Sequence, residues 1–109
     1  MPVIKKEPQV LISRWQAASS PSLDQIRSIL QSEGHDSKVE TFLKNQKAIE
    51  KKHPFGEVRI VVEGELFLNV SGTQLLLRAG DRIEIPANTK HSYSTQNEVT
   101  VTLYTHYPY

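Results

Sequence analysis

The stretch EVRIVVEGELFLNV, residues 57–70, decides the fold class. Aliphatic residues alternate with other residues on both sides of Glu63-Gly64, which is typical of two β-strands joined by a tight connection. In the first strand, one face is entirely aliphatic, whereas the other carries Glu57 and Arg59. A charged pair on one face of a strand in the middle of a domain is either solvated or lines a cavity.

Short β segments also flank this stretch on both sides. Turn residues separate them at close intervals, which indicates an all-β sandwich or barrel and excludes a doubly wound α/β fold. The predicted strands lie at residues 9–15, 39–43, 47–53, 57–62, 66–70, 74–78, 82–85, 91–94 and 99–106.

The N-terminal part of the chain predicts one helix, from Ser22 to Glu33. Ser22 is a typical N-cap, and Gln25 three residues later completes a capping box. Gly34 suits the left-handed residue that follows a helix. The apolar stripe of this helix consists of Leu23, Ile26 and Leu30. Because such a stripe needs a partner, we expect the helix to pack on an outer face of the sheet.

Length and composition bound the function classes. The 109 residues predict one structural domain, with an N-terminal arm and helix (1–36) packed on a barrel (37–109). A net charge of +1 gives no basis for nucleic-acid or membrane partners through bulk electrostatics. The absence of cysteine excludes disulfides and thiolate ligands. The N-terminus lacks the apolar run of a signal peptide, so we expect a cytoplasmic protein.

Two histidines and one acid form a candidate metal site. His53 and Glu57 are four residues apart, which places them on the same side of an extended chain, and His91 begins a later strand. Two imidazoles and one carboxylate suit Fe, Mn, Ni or Zn and leave positions open for a substrate. Spacing alone favours histidines that are solvated or hydrogen-bonded, since a lone histidine is rarely a ligand.

The segment from residue 51 to residue 95 resembles the two motifs of the cupin superfamily. The first motif corresponds to KKHPFGEVRIVVEG, residues 51–64, and the second to GDRIEIPANTKHSYST, residues 80–95. The resemblance covers residues 39–103 and implies a small single-domain cupin of the Cupin_2 type. The implied fold is all-β, a cupin double-stranded β-helix (jelly-roll barrel) with one N-terminal α-helix. It also implies that His53, Glu57 and His91 are metal ligands.

Two departures from the motifs are notable, and the first decides whether the site can bind a metal ion. Lys51 occupies the position of the first motif histidine, and a lysine ammonium has no lone pair to donate. Either the remaining three ligands still bind an ion, with Lys51 holding an anionic substrate, or the metal is lost and Lys51 pairs with Glu57 inside the barrel mouth. Asn88 replaces a motif glycine, and Asn tolerates left-handed backbone.

Further residues are candidates for substrate binding. Arg59 either clamps a substrate carboxylate or pairs with Glu57 or another acid. Tyr93 either hydrogen-bonds a ligand or points its hydroxyl into water. His106 is expected to be solvated near the terminus and His35 to lie in a loop.

These residues support two functions. The first is a metal-dependent enzyme of the dioxygenase or isomerase kind, acting on a small organic anion with Lys51, Arg59 or Tyr93 as binding residues. The second is a non-catalytic cupin, with or without a metal, that binds a small molecule or serves as a dimeric binding module. The aromatic tail, residues 104–109, suggests a homodimer interface in either case.

Overall fold

The computed structural model describes residues 10–47 and 49–106. One helix and eight strands follow one another along the described chain. They are β1 (Leu11–Ser13), α1 (Leu23–Ser32), β2 (Lys38–Phe42), β3 (Gly56–Glu63), β4 (Leu66–Val70), β5 (Thr73–Leu77), β6 (Arg82–Ile85), β7 (His91–Ser94) and β8 (Val99–His106).

The strands form two antiparallel sheets. One has five strands in the order β1-β6-β3-β8-β2, and the other has three in the order β5-β4-β7. Aliphatic side chains from both sheets pack into one core, which shows that the sheets face each other. Its buried members are Val61, Leu66, Leu68, Leu77, Ile83, Ile85, Val99 and Val101. The predicted all-β jelly roll with one N-terminal helix is confirmed.

The hairpin between β4 and β5 shows how local sequence determines register. Val70 pairs with Thr73, so the loop contains only Ser71 and Gly72. Both loop residues have positive φ, 51° and 76°. A two-residue loop with two left-handed residues matches the right-handed twist of the strands it joins, and glycine adopts that conformation at no steric cost.

Helix α1 forms as its sequence predicts. Ser22 and Gln25 make both hydrogen bonds of a capping box. The buried Ile26 and Leu30 pack against Val58 and Ile60 of β3. The aliphatic face of β3 is therefore covered by the helix, and its other face, with Glu57 and Arg59, is directed between the sheets. No helix among the described residues is long and apolar enough to cross a bilayer.

The predicted strand over residues 47–53 is wrong. In this region the described residues form only an isolated bridge, between Lys51 and His91. Lys47, Ile49 and Glu50 are all exposed, so the segment has no alternating apolar face to bury in a sheet. The predicted strand over residues 9–15 shortens to β1, and Gln9 lies outside the described residues.

The N-terminal arm is attached to the barrel through Asp81. Its carboxylate accepts hydrogen bonds from the main-chain N–H of Trp15 (3.0 Å) and of Arg78 (2.9 Å) and from Arg14 Nη1 (2.8 Å). Burial raises the pKa of Asp81, but these hydrogen bonds outweigh it and lower the pKa below its ordinary value. A Cβ on the neighbouring Gly80 would lie 2.4 Å from Trp15 Cγ, so glycine is required there.

We expect Asp81→Ala to lower the free energy of unfolding by about 2–4 kcal/mol, because it leaves two main-chain N–H groups without their acceptor. Urea denaturation followed by circular dichroism measures the change. The matched control is Asp36→Ala, at an exposed aspartate, which should change stability by less than about 0.5 kcal/mol. Equal effects of the two substitutions would contradict the role of Asp81.

Candidate metal centre

Three side chains converge in the space between the sheets. Glu57 lies on β3, His91 is the first residue of β7 in the opposite sheet, and His53 lies in the loop before β3. One ligand atom from each lies within 4.8 Å of the other two. Glu57 and His91 are buried, and His53 is half-buried. The two imidazoles and the carboxylate that the motifs single out therefore meet at one point.

The carboxylate of Glu57 is bonded through both oxygens. Oε1 lies 2.7 Å from His91 Nε2. Oε2 accepts from Arg59 Nε at 2.5 Å and from the Tyr93 hydroxyl at 3.2 Å. Burial raises the pKa of Glu57, but the hydrogen bond from His91 and the charge of Arg59 prevail and lower the pKa to about 2. Glu57 is therefore ionised at neutral pH although it is buried.

His91 is oriented by its own turn. Its Nδ1 lies 2.8 Å from the carbonyl oxygen of Thr89, and because a carbonyl can only accept, Nδ1 must donate. This leaves Nε2 directed at Glu57. Burial lowers the pKa of His91, but its bonds to Glu57 and Thr89 outweigh burial and raise it. The 2.7 Å contact between Nε2 and Oε1 is a charged hydrogen bond whenever Nε2 carries a proton.

His53 is held by two contacts. Its ring stacks on Phe55 with the centroids 4.7 Å apart and the planes 6° from parallel. Its carbonyl oxygen accepts from the main-chain N–H of Asn88 at 2.6 Å. Asn88 has φ of 61°, the left-handed backbone that the motif glycine implied for this position. The loop before β3 and the loop before β7 are thereby joined beside the site.

Arg59 lies over two aromatic rings that pack against each other. Its Cζ is 5.3 Å from the ring centroid of Phe42 and 5.2 Å from that of Tyr93, both within cation–π range. Besides its bond to Glu57, it donates from Nη1 to Glu40 Oε1 at 3.2 Å. The charged face of β3 therefore lines a cavity, and Arg59 pairs with acids there.

Lys51 does not pair with Glu57, so the interpretation in which it neutralises that carboxylate inside the mouth is wrong. Arg59 and His91 do so instead, because they are buried beside Glu57 whereas Lys51 is exposed. The main chain of Lys51 is bonded to that of His91 by two hydrogen bonds, of 2.8 and 3.0 Å. Its side chain lines the mouth of the cavity.

The cavity has a volume of about 120 Å³, room for roughly four water molecules. All six of the predicted metal-binding and substrate-binding residues line it. The lining consists of Glu40, Phe42, Gln46, Lys47, Ile49, Lys51, His53, Glu57, Arg59, His91, Ser92 and Tyr93.

Sequence reasoning missed Glu40, Phe42 and the Thr89 carbonyl. Glu40 and Phe42 alternate along β2, but the sequence does not reveal that β2 lies beside β8 and thus within reach of Arg59. The other histidines lie elsewhere. His35 stacks on Tyr104 at 4.1 Å, and His106 is exposed near the same ring at 5.9 Å.

The donor set could hold a divalent ion. Two imidazole nitrogens and one carboxylate oxygen are the ligands of the facial triad, which leaves three of six positions open. The 2.7 Å between His91 Nε2 and Glu57 Oε1 is close to the roughly 3 Å between adjacent ligand atoms around an ion with bonds of about 2.1 Å. His91 can bind an ion there once the Nε2 proton has left.

The comparisons with families and curated proteins give one match. A model of the cupin domain, Cupin_2, matches residues 38–107, which include both motifs and most of the barrel. No curated protein matches the chain.

Solved structures with the same fold include a cupin-2 domain protein from Shewanella frigidimarina. It is 23% identical, with a TM-score of 0.56, and the match covers 62% of this chain and 66% of that one, just under two thirds of its length. The iron(II) form of HppE with its substrate is 17% identical (TM-score 0.57; 65% of this chain, 44% of that one). A salicylate 1,2-dioxygenase variant from Pseudoaminobacter salicylatoxidans is 13% identical (TM-score 0.59; 74% and 31%). At these identities the likeness shows the fold alone.

The ion pair of Glu57 and His91 predicts a pH window for the metal-free protein. His91 has a pKa above its ordinary 6.5, so its contribution is fully present below about pH 6.5 and is lost as pH rises through the raised value. Glu57 has a pKa lowered from 4.5 to about 2, so its contribution is full above about pH 4.5 and is lost as pH falls towards 2. The stability difference between wild type and Glu57→Gln should therefore be largest between about pH 4.5 and 6.5.

Urea denaturation in the presence of a chelator, repeated from about pH 3 to about pH 9, measures this difference. Glu50→Gln, at an exposed glutamate, is the matched control. A difference that does not vary with pH would contradict the ion pair.

Proposed function

This chain belongs to the cupin domain family, and from that premise we propose that it is a metal-dependent enzyme acting on a small organic anion. One observation carries the proposal: His53 and Glu57, and the distant His91, bring their ligand atoms within 4.8 Å of one another in a cavity. A cluster of acids on the surface would contain no imidazoles. Here, by contrast, one of the two imidazoles, that of His91, is oriented by a hydrogen bond to the carbonyl oxygen of Thr89.

The ion is Fe, Mn, Ni or Zn in the divalent state, the metals that imidazole and carboxylate ligands suit together. Bound there, it would supply Lewis-acid or oxygen chemistry, as in an oxygenase or isomerase. An iron(II) protein and a salicylate dioxygenase share this fold, so the fold is compatible with the oxygenase kind.

The charge of the cavity favours an anion. Three basic side chains line it, Lys47, Lys51 and Arg59, against two acids, Glu40 and Glu57. With neutral histidines, a divalent ion would bring the net charge of the site to three positive. A volume of about 120 Å³ restricts the occupant to a compact molecule.

Tyr93 is placed to donate a proton in hydrogen bonding. Burial raises the pKa of its phenol well above the ordinary value, and the charge of Glu57 raises it further. The hydroxyl therefore keeps its proton at any pH at which the protein would function. The one proton of Tyr93 is donated to Glu57 Oε2, so Tyr93 would donate to a substrate oxygen only by giving up that 3.2 Å bond. Lys51 can bind a carboxylate at the mouth.

A metal-free binding module is the second candidate. The observation that favours it is that Glu57 already has its charge matched by Arg59 and His91, so the buried carboxylate does not require an ion. Such a module would bind a small anion through Lys51.

For both candidate functions we propose a homodimer, since Leu43 (68% exposed) and Ile49 (67% exposed) present apolar surface near the cavity.

The first prediction from this proposal concerns metal content. Wild-type protein purified without a histidine tag and dialysed against Mn²⁺ should retain close to one ion per chain. His91→Ala should reduce this at least tenfold, because two ligands cannot form the triad. Elemental analysis measures the content, and His106→Ala, at an exposed histidine, should match wild type. Metal-free wild-type protein after reconstitution would favour the second candidate.

The second prediction concerns the anion. In the Co²⁺-loaded protein, Lys51→Met should raise the Kd for acetate by about tenfold, the worth of one charge-assisted hydrogen bond. Visible absorption of Co²⁺ reports acetate binding. Lys52→Met removes the neighbouring exposed lysine, which does not line the cavity, and should leave the Kd unchanged. An equal effect of both substitutions would reject a specific role for Lys51.

A further inference from the structure

Arg59 is almost enclosed by other groups of the protein. Its side chain is only 10% exposed. Its Nε donates to Glu57, its Nη1 donates to Glu40, and the rings of Phe42 and Tyr93 lie near its charged end. A guanidinium that already serves two carboxylates and contacts two rings has little charge or surface left for a substrate.

The same contacts restrict Glu57. Its Oε2 is occupied by Arg59 Nε and the Tyr93 hydroxyl, whereas Oε1 points towards His91. An ion at the triad can thus use only Oε1. If Oε2 were released, the carboxylate could rotate and bind through both oxygens, taking one of the positions that a facial triad leaves open.

From these contacts, and resting on the proposed metal site, we infer that Arg59 is a positioning residue that fixes Glu57 as a single-oxygen ligand, and that it does not bind the substrate anion. The substrate anion is then bound by the lysines at the mouth of the cavity. Lys47 and Lys51 line the cavity and form no ion pair with an acid among the described residues.

A positioning role and a charge role predict different metal affinities for Arg59→Lys. A cation near a metal ion repels it, so if Arg59 acted only through its charge, a substitution that keeps the charge would not change metal affinity. If Arg59 acts through geometry, Arg59→Lys must weaken binding, because an ammonium lacks the planar Nε–H and does not stack in the same way.

The test is Co²⁺ titration of wild type, Arg59→Lys and the matched control Arg82→Lys. Arg82 is also paired with a carboxylate, that of Glu33, through two hydrogen bonds of 2.7 and 2.8 Å, and it lies outside the cavity lining. We expect Arg59→Lys to raise the Kd for Co²⁺ by 10-fold or more, as losses behind a metal ligand typically do, and to shift the Co²⁺ absorption bands. Arg82→Lys should change neither.

A second variant covers the case in which Arg59→Lys does not fold. Phe42→Leu removes one ring from Arg59 but leaves its charge and both acids in place. It should loosen the guanidinium and raise the Kd for Co²⁺ by about threefold, with a smaller shift of the same bands.

The outcomes separate the two proposals. Unchanged Co²⁺ affinity and bands in folded Arg59→Lys overturn the positioning role and leave the metal site standing. Loss of acetate binding in Arg59→Lys with unchanged Co²⁺ bands also overturns it, because Arg59 would then be the anion-binding residue. A wild type that binds no Co²⁺ overturns both proposals.

Discussion

The interaction on which the site depends is the neutralisation of one buried carboxylate. Glu57 is 3% exposed between two sheets, and an unpaired ion in such a place would cost several kcal/mol. The protein meets that cost with a guanidinium on the same strand, an imidazole on the opposite sheet and a phenol beside it. Each of these groups is itself fixed by a neighbour. The arrangement of the cavity therefore follows from the need to compensate one negative charge that is buried away from water.

Much of the fold follows from local sequence. The alternation in β3 predicts one aliphatic and one charged face, and the capping box predicts where α1 begins. The two-residue loop Ser71-Gly72 sets the hairpin register. These are short-range effects, so sequence reasoning reaches them. The prediction of a strand over residues 47–53 was wrong because the length and spacing of this segment suit a strand, whereas its exposed charged side chains leave no apolar face to bury in a sheet.

The three candidate ligands could also be predicted, because two motifs specify their spacing. Their surroundings could not. Glu40 reaches Arg59 only because β2 follows β8 in the sheet, and strand order is a property of the whole chain. The acceptor behind His91 is a main-chain carbonyl, which any residue at position 89 would provide. Residue type carries no information about such a contact.

The bridge between Lys51 and His91 consists of main-chain hydrogen bonds alone. Any residue except proline can make them, so the side chain at position 51 can change without displacing His91. A histidine there would add a fourth donor to the same scaffold, and a lysine adds a cation. The residue at position 51 thus decides between one more metal ligand and a stronger attraction for anions. The function of this barrel can therefore change without a change of its fold.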